Sequence, residues 1–333
     1  MSLAMYEESF TSLFKAAYEE ISKSKVVAIA VHKNPDGDAI GSMLGLADLI
    51  EKNLPRITVI RFSCDPVPGS MYFLAGAKKI VSTFPADADL IIGLDYGNVD
   101  RLGIPSQYLS KEVKMVTFDH HPVDRQSGYV MVIDSDCSST AELLYLFARE
   151  LELTISSDCA QCLLTGIFTD TGGFVHANTT ARALSVTADL MEKGASISQI
   201  QQHVFAKPPH VLRAWGDIFS RTKLDETLKM VYASVSFSQF SGYDISQDEL
   251  SGVVETLNTV EESRFAAFLL EYKEGRVKGS LRSEPFKGVD VSAIAKLLGG
   301  GGHKYASGFE VEGNVERVEE KLKEAARALL IND

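Results

Sequence analysis

Three features of the sequence predict an α/β protein of two domains. Through the first half, short apolar segments alternate with amphipathic helical stretches, the pattern of a parallel sheet with helices on both faces. In the second half the strands run together ahead of the helices, which marks a smaller α/β domain. A length of 333 residues fits one large or two ordinary domains of about 100–200 residues each, and the change of pattern decides for two.

The first element is an amphipathic helix over 6–22, followed by the uninterrupted apolar strand 26–31. A turn-rich segment then opens a helix over 39–53, and strands follow at 57–62, 90–94, 113–118 and 129–133. These are short aliphatic runs bounded by polar and turn residues, as strands buried on both faces are. Helices are expected over 139–151, 158–169 and 180–193, closing a domain at 1–195. A polar helical connection over 196–222, interrupted by Lys207-Pro208-Pro209, reads as a linker. The second domain, 223–333, has strands at 228–237, 264–272 and 276–281. They are followed by helix 291–297, a glycine run at 299–302, strand 306–311 and a terminal helix at 315–330. Two domains imply a cleft, and the active site is expected there.

With 45% hydrophobic and 23% charged residues the composition is ordinary for a globular protein, which excludes disordered, collagen-like and fibrous classes. Lys and Arg number 33 against 45 Asp and Glu, a net charge of -12. A long nucleic-acid duplex is therefore not an expected partner, whereas a short anionic substrate is. Apolar runs such as 26–31 and 90–94 fall far below the roughly 20 residues of a membrane span. Glu7 and Glu8 stand where a secretory signal would begin with basic residues, so a soluble, cytoplasmic protein with no membrane partner is expected. Four cysteines are too few for a disulfide scaffold. Cys159 and Cys162 form a C-x-x-C pair, but no second pair accompanies them. The pair sits in the apolar segment around 160–168, which reads as a buried helix, and the two are read as small helix-core residues.

Functional residues on an open α/β sheet lie just beyond the carboxyl ends of the strands. Four Asp/His clusters fall at successive strand or helix ends. After the first strand come His32, Asp36 and Asp38, in His32-Lys33-Asn34-Pro35-Asp36-Gly37-Asp38-Ala39-Ile40-Gly41-Ser42. Asp95 follows the third strand, and Asp119-His120-His121-Pro122 the fourth. Asp170 closes a helix, in Thr169-Asp170-Thr171-Gly172. Singly each has an ordinary reading: Asn-Pro-Asp-Gly is a turn and Asp38 is a cap for the following helix. Brought together, these carboxylates and imidazoles would repel unless cations sat among them. Mixed carboxylate and imidazole ligands without thiolate favour manganese or magnesium over structural zinc. The number of ligands points to a pair of metals about 3.5–4 Å apart, the arrangement that performs in-line displacement at phosphorus. Asp95, the isolated carboxylate, is the candidate bridge.

Taken together, these motifs resemble those of the DHH phosphoesterase superfamily. The tail Gly299-Gly300-Gly301-Gly302-His303-Lys304-Tyr305-Ala306-Ser307-Gly308-Phe309, with Ser280-Leu281-Arg282-Ser283 before it, resembles the associated DHHA1 domain. The resemblance spans nearly the whole chain in order. It implies that His32, Asp36 and Asp95 hold one divalent metal and that Asp38, Asp95, His120 and Asp170 hold a second. It further implies that a hydroxide bridging the two attacks phosphorus. His121 then lies beside the substrate phosphate as donor or as acid for the leaving oxygen, with Asp119 orienting a histidine. In the second domain Arg282, Gly300, Gly301, Gly302 and His303 are expected to bind substrate. Backbone N–H groups of the glycine run approach a phosphate closely, and the run is expected to lead into a short helical turn whose N-terminus favours anions.

Within the superfamily, the manganese pyrophosphatases lack the Gly-Gly-Gly-His stretch, and RecJ-type exonucleases carry an added barrel for which this chain has no room. Membrane-bound cyclic-di-AMP phosphodiesterases carry transmembrane segments. What remains resembles the stand-alone NrnA-type oligoribonucleases and pAp phosphatases, acting on short RNA and small nucleotides, with a homodimer allowed. A soluble cyclic-di-AMP or pApA phosphodiesterase is the alternative, followed by an exopolyphosphatase. A nucleotide-binding sensor on a degenerate scaffold ranks last because none of the implied ligands is missing. His176, His203, His210, Trp215 and Tyr305 are weaker candidates.

Overall fold

The computed structural model describes residues 8–109, 114–121, 129–204 and 206–330. The expected helix start at Tyr6, the strand start at Val113 and Pro122 lie outside the described residues. Contacts divide the chain into two units, one ending at Ala206 and the other beginning at Lys207.

The first unit runs α1 (Glu8–Lys23), β1 (Val26–Val31), α2 (Gly37–Asn53), β2 (Thr58–Phe62), β3 (Ile80–Val81), β4 (Leu90–Leu94), β5 (Lys114–Asp119), β6 (Val130–Ile133), α3 (Thr140–Glu150), α4 (Ser157–Asp170), α5 (Ala181–Glu192) and α6 (Ile197–Val204). Its six strands pair in the order β3-β2-β1-β4-β5-β6, and every pairing is parallel. β4 is buried throughout and β1 nearly so, which explains their unbroken aliphatic sequences. Side-chain alternation sends Val27, Ile29, Val31, Leu90, Ile92 and Leu94 into one core with residues of α1 to α6. The opposite face, carrying Ala28, Ala30 and Ile91, packs against Phe62, Phe84, Tyr96, Leu102 and Ile104. Helices expected on both faces thus reduce to α-helices on one face, with loops and 3-10 turns on the other. The connections from β2 to β3 and from β4 to β6 hold no α-helix among the described residues. Side-chain oxygens of Ser139, Ser156 and Thr180 cap α3, α4 and α5.

The second unit runs α7 (Pro209–Ser220), β7 (Lys223–Asp225), β8 (Met230–Val235), α8 (Phe237–Phe240), α9 (Val253–Leu257), β9 (Phe265–Lys273), β10 (Arg276–Arg282), α10 (Val291–Leu297), β11 (Gly301–His303), β12 (Ala306–Glu312) and α11 (Val315–Leu330). Its sheet has the order β11-β12-β10-β9-β8-β7, antiparallel except between β8 and β9. The stretch 196–222 is not a separate linker: α6 buries Ile200 in the first core, and α7 buries Ile218 in a core of the second unit. The glycine run does not lead into a helical turn either. It enters β11, an edge strand paired with β12, because two extended segments joined by the short turn at Lys304-Tyr305 satisfy each other's backbone groups. Among the described residues no helix is long and apolar enough to cross a membrane.

Candidate active site

β1 and β4 are neighbours in the middle of the first sheet. The chain leaves β1 toward β2 on one side and leaves β4 toward β5 on the other. A crevice opens beyond the carboxyl ends of strands where the order reverses in this way. His32 follows β1 directly and Asp95 follows β4 directly. Asp95 has φ of +53°, a left-handed conformation that costs a non-glycine residue free energy and is retained where surrounding structure enforces it. Its N–H still donates to the Phe118 carbonyl at 3.1 Å, so the turn is anchored to β5.

The two oxygens of buried Asp95 face different partners. Oδ2 is 3.7 Å from His32 Nε2, which is also 3.8 Å from Asp36 Oδ2. Oδ1 is 3.5 Å from His120 Nε2 and 3.3 Å from His121 Nδ1. His32, Asp36 and Asp95 therefore form one potential ligand group, and Asp95, His120 and His121 a second, each with its ligand atoms within 4.8 Å of one another. His32 Nδ1 bonds the Lys33 carbonyl at 2.8 Å, which turns Nε2 toward the carboxylates. Burial works against the charged ring, but Asp36 and Asp95 carry its pKa up to about 10. Burial likewise pushes the Asp95 carboxyl up, yet His121 and His32 hold it well below the usual carboxylate range. For His120 burial dominates and lowers the pKa.

Asp36, not Asp38, caps α2, its Oδ1 accepting from the N–H groups of Asp38 and Ala39 at 3.0 Å each. The expectation that Asp38 caps its own helix is corrected here. Its buried carboxylate accepts from the first N–H groups of α3, Thr140 at 2.7 Å and Ala141 at 3.0 Å, and from Ser42 Oγ at 3.2 Å. Burial, then the charges of Asp95, Asp170 and Asp36, raises its pKa well above the ordinary value. Asp170 ends α4 with Oδ2 3.8 Å from His120 Nε2, and burial with Asp95 and Asp36 nearby takes its pKa up to about 8. The approach of α4 to Asp38 depends on Gly166, where a Cβ would lie 2.6 Å from Asp38 Oδ1 and from Ala141 Cβ.

Asp119 is fully buried and accepts from the N–H groups of Tyr96 at 2.9 Å, Gly97 at 2.8 Å and His121 at 2.9 Å. Its Oδ1 also bonds His121 Nδ1 at 3.0 Å, fixing the ring, and Asp119 with Asp95 carries the His121 pKa up to about 10.

In the second unit Arg282 ends β10 with Nε and Nη2 on Glu255 Oε1, at 2.9 and 2.8 Å. Gly301, Gly302 and His303 form β11, and His303 is exposed. Gly300 packs so closely on β12 that a Cβ would meet the Gly308 carbonyl oxygen at 2.2 Å. Ser283 N–H donates to the Tyr305 carbonyl at 3.0 Å, so the hairpin lies beside the loop that follows Arg282.

The sequence did not single out Thr140, Asn178 or Gly166. Thr140 Oγ1 donates to Asp95 Oδ1 at 3.3 Å, and Asn178 Nδ2 donates to Asp170 Oδ2 at 3.3 Å and to the Ser138 carbonyl at 2.9 Å. Ser138-Ser139-Thr140 carries the signal of a helix cap, which conceals its second task. Cys159 and Cys162 are buried in α4, as small helix-core residues are. His203 stacks on Phe73 with centroids 4.5 Å apart, and Trp215 Nε1 donates to the Glu249 carbonyl at 3.0 Å, both packing roles.

Asp38 and Asp170, buried with raised pKa values, stand near Asp95, and the imidazoles of His32, His120 and His121 are aimed at the Asp95 carboxylate. Oxygen and imidazole donors without thiolate fit hard or borderline divalent cations.

A family model described as the DHH family, N-terminal domain, matches residues 26–167, and one described as the DHHA1 domain matches 227–330. The bifunctional oligoribonuclease and PAP phosphatase NrnA of Thermus thermophilus is 32% identical over 306 residues, covering 90% of this chain and 89% of that protein. Its namesake from Bacillus subtilis is 26% identical over 294 residues, 87% of this chain and 91% of the other. Among solved structures, an exopolyphosphatase-related protein from Bacteroides fragilis superposes with a TM-score of 0.87 at 23% identity, covering 98% of both chains. RecJ of Thermus thermophilus in complex with Mn2+ superposes with a TM-score of 0.56 at 12% identity, covering 100% of this chain and 56% of that one. At these identities the two superpositions establish the fold.

Proposed function

The chain belongs to the DHH family, and from that premise we propose that it is a metal-dependent phosphoester hydrolase. Its substrates are short oligoribonucleotides, released as mononucleotides, and 3'-phosphoadenosine 5'-phosphate, cleaved to AMP and phosphate. The observation that carries this reading is Asp95, whose two oxygens face two separate histidine-containing groups. The NrnA relatives carry both activities in their names. The acidic chain, at -12, suits a substrate of a few nucleotides better than a long polyanion.

His32, Asp36 and Asp95 would hold one cation, and Asp38, Asp95, His120 and Asp170 the other, with manganese preferred over magnesium. Such cations supply charge neutralisation at the phosphoryl oxygens and acidify water at the site. Asp95 holds the two groups in fixed relation through its shared carboxylate. Asp119 orients His121, whose ring carries the proton for the leaving oxygen. Arg282, His303 and the edge strand at Gly301 and Gly302 hold the substrate phosphate, whereas the Gly300 N–H is committed to the Ala295 carbonyl at 2.9 Å. A cytoplasmic setting agrees with these substrates.

The test is product release by the full chain with added manganese, run in parallel on pAp, a short RNA, pApA, cyclic-di-AMP and polyphosphate. Turnover of pAp and short RNA is expected. A preference for pApA or cyclic-di-AMP would replace the substrate assignment and leave the metal centre standing, and silence on all five would overturn the enzyme reading.

A further inference from the structure

Asp38 and Asp95 come from different strand ends, yet one residue bonds both. Thr140, fully buried at the start of α3, gives its N–H to Asp38 Oδ2 at 2.7 Å and its hydroxyl to Asp95 Oδ1 at 3.3 Å. Ala141 N–H reaches the other oxygen of Asp38 at 3.0 Å. The segment carrying Thr140 is itself braced. Asn178 holds the Ser138 carbonyl, and Glu142 Oε2 accepts from Ser138 N–H at 2.7 Å while Arg182 Nε bonds Glu142 Oε1 at 2.7 Å.

The oxygen of Asp95 that Thr140 engages is the one facing His120 and His121. Rotation of an aspartate carboxylate about its terminal torsion is soft and nearly two-fold, so the backbone at Asp95 does not by itself decide which way the plane of the group is turned. A hydroxyl donor fixed on a helix end does decide it. The N–H arms act differently: they fix the Asp38 carboxylate at the N-terminus of α3 and favour its charge there, against the burial and neighbouring carboxylates that disfavour it.

We infer that Thr140 is a positioning residue of the metal centre, setting the plane of the shared Asp95 carboxylate through its hydroxyl while its backbone anchors Asp38. It touches neither substrate nor the reacting atoms. The inference rests on the reading of the Asp95 cluster as a divalent-metal site. A residue that only filled space at the helix start would be replaced without loss by valine, which has nearly the same shape.

The experiment measures manganese binding to the metal-stripped full chain by titration calorimetry, for the wild type and for Thr140→Val, Thr140→Ala and Thr140→Ser. Circular dichroism melts of the stripped proteins report folding. Val and Ala keep the backbone donors and lose the hydroxyl. Both are expected to bind manganese about tenfold to a hundredfold more weakly, as other residues that orient metal ligands do. At saturating manganese, kcat on pAp should fall with little change in KM. Ser restores the donor and is expected to restore affinity. Should Val lower the melting temperature of the stripped protein, Ala carries the comparison. Wild-type affinity in Val and Ala would overturn the inference, as would a Ser variant as weak as Val. A stripped wild-type chain that takes up no manganese would instead overturn the metal reading on which the inference stands.

Discussion

Arg282 places Nε and Nη2 on a single oxygen of Glu255, at 2.9 and 2.8 Å, while the second oxygen of Glu255 is buried without a hydrogen-bond partner. The guanidinium is thus aimed by one carboxylate oxygen and, through Nη1, by the Leu281 carbonyl at 3.0 Å, and in the proposed role a substrate phosphate would share it or displace the carboxylate. Arg282→Ala is expected to raise KM for pAp about tenfold to a hundredfold with a smaller change in kcat, since a hydrogen bond to a charged group contributes about 1.5–3 kcal/mol. Glu255→Gln keeps a side-chain oxygen of the same reach and removes the competing charge, so KM should fall. Steady-state kinetics on pAp check both; a loss confined to kcat would remove Arg282 from substrate binding.

Gly166→Ala tests the close approach of α4 to the site. Alanine favours a helix by about 1 kcal/mol over glycine, but its Cβ would sit 2.6 Å from Asp38 Oδ1 and Ala141 Cβ. Overpacking of this kind costs about 1–3 kcal/mol. The variant is expected to melt below wild type and to bind manganese more weakly, and a raised melting temperature would show that the helices part without disturbing Asp38.

Removing metal should make stability depend on pH in one direction. Asp170, raised to about 8 from the usual 3.8, binds its proton more tightly in the folded chain, so folding loses stability as pH rises from about 4 to 8. His32 and His121, each raised to about 10 from 6.5, contribute stability that is complete below 6.5 and is lost as pH rises toward 10. Chelator-treated protein should therefore melt at a lower temperature at pH 9 than at pH 6.5. Manganese should recover most of the difference and release protons on binding. A metal-free melting temperature that rises between those pH values would contradict the arrangement of charges.

Arg182→Met removes the cation from a carboxylate, Glu142, that is wholly buried. Breaking a buried pair from one side costs about 3–5 kcal/mol. The Arg182 end reaches water, so about 2–3 kcal/mol is the expected destabilisation in urea melts. Adding Glu142→Gln should recover part of it; an unchanged single variant would show that Ser138 N–H alone suffices for Glu142.

The clustered Asp and His residues were legible because they recur where aliphatic strands end, and a strand end on a parallel sheet fixes where a side chain emerges. The strands themselves were legible through unbroken runs such as Val26–Val31. The capping role of Asp36 was not, since Asp36 and Asp38 are equally good caps in sequence and only the rotation of α2 separates them. β11 escaped because Gly301 and Gly302 have no side chains to signal a strand, and its pairing with β12 decides its conformation. The coverage of one sheet face by loops was hidden for a similar reason: Tyr96, Leu102 and Ile104 become a packing layer only once the sheet lies beneath them. Thr140 was hidden by its own neighbourhood, where serine and threonine already have a reason to stand.

The bond from Thr140 to Asp38 joins residues 102 apart in sequence, and that from Thr140 to Asp95 joins residues 45 apart. Contacts between residues so far apart in sequence slow folding, and the two together need at least the chain from Asp38 to Thr140. The site is therefore assembled late, by nearly the whole parallel-sheet unit at once. Nascent or partly unfolded chains would have no competent phosphoesterase centre, and uptake of the metal would act as a ratchet, drawing chains that reach the completed unit out of the unfolded pool.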